Sequence, residues 1–223
     1  NLAPADLPKD GGRFDLPIAL GILTASGQLP AETVRDREFL GELTLDGRLR
    51  PIRGVLAAAL ARDGQAQELM VPAENAAEAA VAGRVAALGA ASLNAAAAHL
   101  RGEQRLEPAQ PGTPEVGHPP DLADVRGQAP AKRALEVAAA GGHGLLLSGP
   151  PGAGKTLLAR CLPGILPPLD ATAQVEAARI RSVQGERITA LDPTPPFRAP
   201  HHSASMAALV GGGSPPRPGE ITR

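Results

Sequence analysis

Aromatic side chains are almost absent from this sequence of 223 residues, which has no Trp and no Tyr. Its three aromatic residues are Phe14, Phe39 and Phe197. Proteins that hold single-stranded nucleic acid by base stacking use aromatic side chains as the platform. The composition therefore excludes an aromatic stacking platform as the means of holding bases.

Cysteine and long apolar runs are equally scarce. The single cysteine, Cys161, excludes an internal disulfide and fits a reducing compartment. It falls in a predicted helix, where we expect a buried structural thiol. No run of about 18 apolar residues occurs, so the sequence predicts no membrane span, and it has no signal-peptide pattern. We therefore expect a cytoplasmic protein without a membrane partner.

An excess of one charge is also missing, since 22 basic side chains balance 23 acidic ones. Net charge therefore argues neither for nor against a nucleic-acid partner, and only a local basic patch could do so. The sequence starts at Asn1 without Met. We expect both of its ends to lie inside a longer protein.

What the sequence does contain is a phosphate-binding motif at residues 149–156, which matches G-x-x-x-x-G-K-[ST]. The apolar run at 145–147 predicts a buried strand before it, and residues 156–162 predict a helix after it. The motif therefore lies between a strand and a helix N-terminus, where backbone N–H groups bind phosphate. The alternative is a Gly- and Pro-rich turn with a chance lysine, which leaves the flanking strand and helix without an explanation.

The motif residues predict a site for ATP and Mg²⁺. Glycines let the backbone turn its N–H groups toward an anion. Lys155 supplies a charge for the β- and γ-phosphates, and Thr156 supplies a hydroxyl ligand for Mg²⁺. The residues predicted to contact the nucleotide here are Gly149, Pro150, Pro151, Gly152, Ala153, Gly154, Lys155, Thr156 and Leu157.

The first 100 residues alternate short helical and strand patterns and predict a small α/β or α+β domain. Asp46-Gly47 predicts a type I′ hairpin, and residues 69–71 predict a short strand. Ser92 is predicted to cap a helix that ends at Leu100. Residues 101–120 are charged and rich in Pro and Gly, which predicts a linker.

Four segments of this first domain resemble the Lon-protease type of domain. They are the P-K-D-G run at 8–11, residues 41–49, the P-I-x-G pattern at 51–54 and residues 71–75. The resemblance implies a catalytic Ser and a partner Lys at the positions that hold Arg13 and Leu56 here. Arg cannot act as a serine-like nucleophile and Leu cannot act as a base. We therefore expect a Lon-like domain over 1–100 without protease activity.

The second part of the sequence resembles the magnesium-chelatase-like AAA+ ATPases of the ComM/YifB type. The resemblance is carried by residues 124–128, residues 131–143, the phosphate-binding motif, F-R-A-P-H-H at 197–202 and P-G-E-I at 218–221. That family joins an inactive Lon-like domain to an AAA+ module in the order seen here. The resemblance implies an α/β protein with a Lon-like domain (1–100), a linker (101–120) and a truncated P-loop AAA+ domain (121–223).

The resemblance also implies roles outside the P-loop. It puts residues 125–128 near the adenine, with Val125 and Gly127 as predicted contacts, and it makes residues 197–223 cover the second core strand and an insertion that faces the pore of a ring. Arg198, His201, His202 and Arg217 are then candidate DNA contacts. A loop pair hydrogen-bonded to the backbone is an equally good interpretation of the two histidines. The implied whole protein is a homo-hexamer that binds ATP, Mg²⁺ and DNA.

ATP hydrolysis needs acidic residues after an apolar strand, in addition to a P-loop. No such pair follows Thr156 in this sequence, and in the family it lies beyond residue 223, as do the sensors and the arginine finger. We expect these 223 residues to bind nucleotide without hydrolysing it alone. Three functions stay open: an ATP-driven DNA motor for branch migration in natural transformation, a magnesium-chelatase-type ATPase subunit, and a nucleotide-binding assembly module without its own catalysis.

Overall fold

The computed structural model describes residues 11–61, 67–114, 117–212 and 217–222. The contacts within the chain divide it into two units. The first unit comprises Asn1–Pro114 and Ala178–Leu191, and the second comprises Glu115–Ala177 and Asp192–Arg223. The first unit therefore takes in a segment that follows the phosphate-binding motif in sequence.

A three-stranded parallel sheet forms the centre of the first unit. Its middle strand, β4 (Glu68–Pro72), pairs with β1 (Arg37–Phe39) on one side and with β5 (Ala86–Ala90) on the other. Leu69 and Val71 face one hydrophobic cluster and Met70 faces another. An apolar run buried on both faces is typical of a central parallel strand, and the predicted strand at 69–71 is confirmed.

Helices cover both faces of this sheet. Helices α1 (Asp15–Ala25) and α4 (Leu93–Leu100) pack on the Met70 face, and α2 (Val55–Leu60) and α3 (Ala76–Val81) pack on the opposite face. The resulting layers of helix, parallel sheet and helix confirm the predicted α/β class. The Ser92 side chain accepts a hydrogen bond from the Ala95 backbone N–H at 3.2 Å, which confirms the predicted cap of α4.

The predicted hairpin is present, but its turn is of another type. Strands β2 (Glu42–Leu43) and β3 (Leu49–Arg50) pair antiparallel. Gly47 takes a positive φ of 78°, and Asp46 does not, whereas a type I′ turn needs positive φ at both central residues. The Gly47 N–H donates to the Thr44 carbonyl. The loop is therefore three residues long, and only the glycine has to be left-handed.

Residues 106–109, which belong to the predicted linker, pack against the first unit. Pro108 forms an antiparallel bridge with Leu88, and the Ala109 N–H donates to the Ala87 carbonyl at 2.8 Å. The Leu106 N–H donates to His99 Nδ1 at 2.9 Å. This stretch thus adds to the β5 edge of the sheet.

The described part of the second unit is mostly helical. It contains α5 (Ala129–Gly141), α6 (Lys155–Ile165), the first half of α7 (Ala171–Gln184) and the short α8 (Met206–Val210). Its core is formed by Leu122, Val125, Leu135, Leu158 and Cys161. Cys161 is fully buried, so the predicted buried structural thiol is confirmed.

Among the described residues of the second unit, neither of the two predicted core strands is formed. Residues 143–150 have no regular secondary structure, and Leu146 is 90% exposed. In residues 197–223 the described strands are β6 (Gly211–Gly212) and β7 (Arg217–Pro218), a two-residue antiparallel pair. A parallel strand takes its hydrogen bonds from its neighbours, and the described residues supply none for 145–147.

No helix in the described part of the chain is long and apolar enough to cross a membrane. The longest of these helices, α7, has 14 residues, whereas a span needs about 20.

Candidate nucleotide-binding site

The phosphate-binding motif forms a loop that leads directly into helix α6. Gly154 is the N-cap residue of this helix, with a φ of 80°, and Gly152 has the same φ. Side chains other than glycine rarely adopt this backbone conformation. The two glycines therefore let the loop turn before the first free N–H groups of an 11-residue helix, where an anion is favoured.

Lys155, the first residue of α6, folds back over the loop. Its ammonium group donates hydrogen bonds to the carbonyl oxygens of Gly149 (2.8 Å) and Pro150 (2.7 Å). Both bonds hold the positive charge at the start of the loop. Through these two bonds Lys155, near the end of the motif, contacts its first two residues. A loop that surrounds a phosphate has this closed form.

Residues 125–128 lie against the same loop. The Gln128 side-chain amide donates to the Ala153 carbonyl at 2.7 Å. Gly127 and Gln128 both have positive φ, 66° and 59°, and Val125 is buried in the core of the second unit. Within residues 125–128, which the resemblance put near the adenine, Gln128 contacts the P-loop and Val125 packs with Leu158 and Cys161 of α6.

The core beneath the loop is apolar and holds α6 in place. Leu158 and Cys161 from α6 pack against Leu135 of α5 and against Val125. Burial raises the pKa of the Cys161 thiol, and the nearby carboxylates of Asp121 and Asp124 raise it further. The thiol is therefore a packed, protonated side chain at neutral pH.

Thr156 and Leu157 occupy the first turn of α6, and both are exposed. The Thr156 hydroxyl is thus open to a cation at the loop. No group of three or more His, Cys, Asp or Glu side chains that could hold a metal ion occurs among the described residues. Thr156 stays the ligand that the sequence predicts for Mg²⁺.

The candidate DNA contacts lie on a separate segment. Arg198 forms a bidentate ion pair with Glu220, at 2.9 and 3.2 Å. His201 and His202 are exposed, and their ring centroids are 4.2 Å apart. Nδ1 of His201 lies 2.7 Å from the Ser203 hydroxyl and accepts the Ser203 backbone N–H at 3.3 Å.

These contacts match the interpretation of His201 as a residue hydrogen-bonded within its own loop, and they leave His202 exposed. Arg217 belongs to strand β7, opposite Gly212. The carboxylate of Glu220 offsets the charge of Arg198, so a phosphate would have to compete for that guanidinium.

The two positions that resemble the Lon dyad differ in environment. Arg13 is exposed in a 3₁₀ turn, Gly12–Phe14, and its carbonyl accepts the Gly41 N–H. Leu56 is fully buried in an apolar cluster. Residues 8–10 of the P-K-D-G run lie outside the described residues. Neither position supplies a nucleophile or a base.

Two family descriptions match the chain. The family described as magnesium chelatase, subunit ChlI, matches residues 121–223, and the family described as subunit ChlI of Mg-chelatase matches residues 1–75. Similar proteins include the uncharacterized protein YifB of Salmonella typhimurium, 47% identical over the whole chain, and the competence protein ComM of Haemophilus influenzae, 48% identical over the whole chain. YifB of Escherichia coli is 46% identical.

The chain spans 44% of the length of the two YifB proteins and 45% of that of ComM. The similarity is uniform, because each of these matches covers 100% of the chain. Both family descriptions name the same subunit. The chain therefore belongs to the magnesium-chelatase-like proteins of the ComM and YifB type.

Proposed function

We propose that residues 149–157 bind the phosphates of ATP, with Mg²⁺ held at Thr156 and the base near Val125 and Gly127. The observation that carries the proposal is the loop itself. Two left-handed glycines precede an exposed helix N-terminus, and the Lys155 ammonium lies on the loop. A bound β- or γ-phosphate would replace the Gly149 and Pro150 carbonyls as the acceptor of that ammonium, because an anionic oxygen attracts the ammonium more strongly than a neutral carbonyl oxygen does.

The fold supports a more specific proposal about domain organisation. The first unit is an α/β domain whose segments resemble a Lon-type domain, and the second contains a P-loop followed by a helix. We infer a Lon-like domain without protease chemistry (1–100), a linker (101–120) and the start of an AAA+ module (121–223). AAA+ modules act as rings, so the whole protein is proposed to be a homo-hexamer.

We further propose that the whole protein is an ATP-driven motor that acts on DNA. The support is the relative named competence protein ComM, which is 48% identical to this chain throughout its length. That name connects the relative with competence, and the resemblance to its family implies ATP-driven branch migration during natural transformation. Arg198, His201, His202 and Arg217 are the proposed DNA contacts.

The experiment compares the whole protein with its Lys155→Ala variant. Without the ammonium the β- and γ-phosphates lose their charge partner, so ATPase activity and branch migration are both expected to fall at least about tenfold. Arg133→Ala is the control, since Arg133 pairs with Glu136 on the exposed surface of α5. Undiminished branch migration in Lys155→Ala would contradict the motor.

A magnesium-chelatase subunit is the second candidate, and the two family descriptions favour it. Metal insertion into a porphyrin by the whole protein, combined with the partner subunits of a chelatase, separates the two activities. Insertion without branch migration would support the chelatase.

A nucleotide-binding assembly module is the third candidate. It describes these 223 residues, which contain the P-loop and, after Thr156, no acidic pair behind an apolar strand. Binding of ATP by the whole protein without any hydrolysis, on DNA or off it, would support this module over both ATPases.

A further inference from the structure

Residues 178–191, here called the latch segment, pack on the first unit through an apolar cluster. Ala178 and Ile188 of the latch segment contact Leu56 of helix α2, and all three side chains are at least 96% buried. The partly buried side chains of Leu60, Val81 and Leu191 pack against this cluster. The latch segment thus covers the position where the resemblance to Lon implies a catalytic lysine.

A buried carboxylate joins the latch segment to the first unit. Glu78 is 3% exposed. Its Oε1 atom accepts hydrogen bonds from the Ser182 hydroxyl (2.5 Å) and the Leu56 backbone N–H (3.2 Å), and its Oε2 atom accepts one from the Asn75 amide (3.0 Å). Burial removes the water molecules that would otherwise donate hydrogen bonds to a carboxylate, so its stability in the folded state depends on such protein donors. Ser182, which is 1% exposed, is the donor that the latch segment supplies.

Two backbone hydrogen bonds also depend on the latch segment. The Gly54 N–H donates to the Ser182 carbonyl (3.0 Å), and the Gly112 N–H donates to the Thr189 carbonyl (2.7 Å). Both donors belong to the body of the first unit, and both acceptors belong to the latch segment. Each of these two amide protons therefore exchanges with solvent only when its hydrogen bond to the latch segment is broken.

One buried side chain of the latch segment lacks a hydrogen-bond partner among the described residues. The group without a partner is the side-chain nitrogen of Gln184. A buried amide donor without a partner costs free energy that it regains when it reaches water. Gln184 therefore favours an open state of the latch segment in which its amide is hydrated.

We propose that the latch segment opens and closes on the first unit as a local two-state element, held closed by the bond between Ser182 and Glu78. Opening hydrates the Gln184 amide and exposes the apolar face around Leu56, while the sheet of the first unit stays folded. Such local opening requires less free energy than global unfolding does. The latch segment follows the P-loop helix in sequence, so the first unit holds a part of the chain that lies beyond the proposed nucleotide site.

Amide hydrogen exchange of the 223-residue chain, followed by NMR, tests the proposal. In the unaltered chain, Gly54 and Gly112 are expected to exchange faster than the amides of β4, because only the latch segment has to open. Ser182→Ala removes the closing bond, and Glu78→Gln weakens it by removing the charge of the acceptor, so Gly54 and Gly112 should exchange about tenfold faster or more in Ser182→Ala and several-fold faster in Glu78→Gln. Gln184→Met removes the unpartnered amide at similar length and should slow both amides by several-fold.

Glu74→Gln is the matched control, because Glu74 is an exposed carboxylate four residues before Glu78. It should leave both rates unchanged. Exchange of Gly54 and Gly112 at the same rate as β4 in the unaltered chain would overturn the proposal. If Ser182→Ala and Glu78→Gln fail to fold, Gln184→Met decides: rates equal to those of the unaltered chain would also overturn it.

Discussion

At the scale of single residues, one hydrogen bond, from the Gln128 side-chain amide to the Ala153 carbonyl, connects the segment before α5 with the P-loop. Phosphate binding fixes both the residue types and the spacing of the loop, so Gly152, Gly154 and Lys155 could be assigned before the structure. The resemblance put the segment that contains Gln128 near the adenine, but this bond could not be predicted, since it depends on how α5 and α6 pack. Glu78 was missed for a similar reason, because its partner Ser182 is 104 residues away in sequence.

Replacing Gln128 by Ala should weaken nucleotide binding. The change removes the hydrogen bond that joins residues 125–128 to the P-loop, and one such bond contributes about 0.5–1.5 kcal/mol. We expect the Kd for Mg-ATP to rise by about 2- to 10-fold in an equilibrium titration. Gln104→Ala, an exposed glutamine of the first unit, is the control, and an equal rise in both variants would contradict the role of Gln128.

The raised pKa of Cys161 predicts a pH dependence of stability. The folded-state pKa lies above the ordinary value of 9.0 because burial disfavours the thiolate. The contribution of this group is therefore complete below the pKa of the unfolded state and is lost as the pH rises through the folded-state pKa.

Urea unfolding of the unaltered chain and of Cys161→Ala between pH 7 and pH 11 measures this effect. At pH 7 the variant should be less stable by about 1 kcal/mol, because a buried atom is removed. The difference should shrink above pH 9. A difference that stays constant over this range would show that the thiol titrates alike in both states.

At the scale of elements, two similar apolar runs fold differently, since one forms a strand and the other does not. The apolar runs at 69–71 and 145–147 both predict a buried strand. Residues 69–71 have a parallel neighbour on each side, whereas no described strand pairs with 145–147. A short apolar run shows only that a segment can be buried, and the pairing that makes it a strand is a property of the remaining chain.

Two leucine-to-alanine substitutions measure this difference. Leu69 is fully buried in β4 and Leu146 is 90% exposed. Leu69→Ala should lower the free energy of unfolding of the first unit by about 2–5 kcal/mol. Leu146→Ala should change that of the second unit by less than about 0.5 kcal/mol. Denaturant titrations followed by circular dichroism provide both values, and a cost for Leu146→Ala as large as that for Leu69→Ala would show that residues 145–147 are buried.

At the scale of the whole molecule, the predicted order of domains is simpler than the division into units. Residues 106–109 belong to the first unit although they lie in a stretch rich in Pro and Gly, and residues 178–191 belong to it although they follow the P-loop. Neither assignment is visible in composition, because both depend on long-range contacts with Ala87, Leu88 and Leu56. A boundary drawn at residue 100 would separate both segments from the unit that they complete, and one drawn at residue 120 would separate residues 178–191.

The central claim concerns one event that this chain can perform by itself, the binding of Mg-ATP by the P-loop. Titration of the 223-residue chain with a fluorescent ATP analogue, with and without Mg²⁺, tests it most directly. We predict saturable binding of the analogue that is tighter with Mg²⁺, and a Kd that rises by about 10- to 100-fold in Lys155→Ala, because a charge-assisted bond is lost, but not in Arg133→Ala. Equal affinity of the unaltered chain and Lys155→Ala would contradict the account.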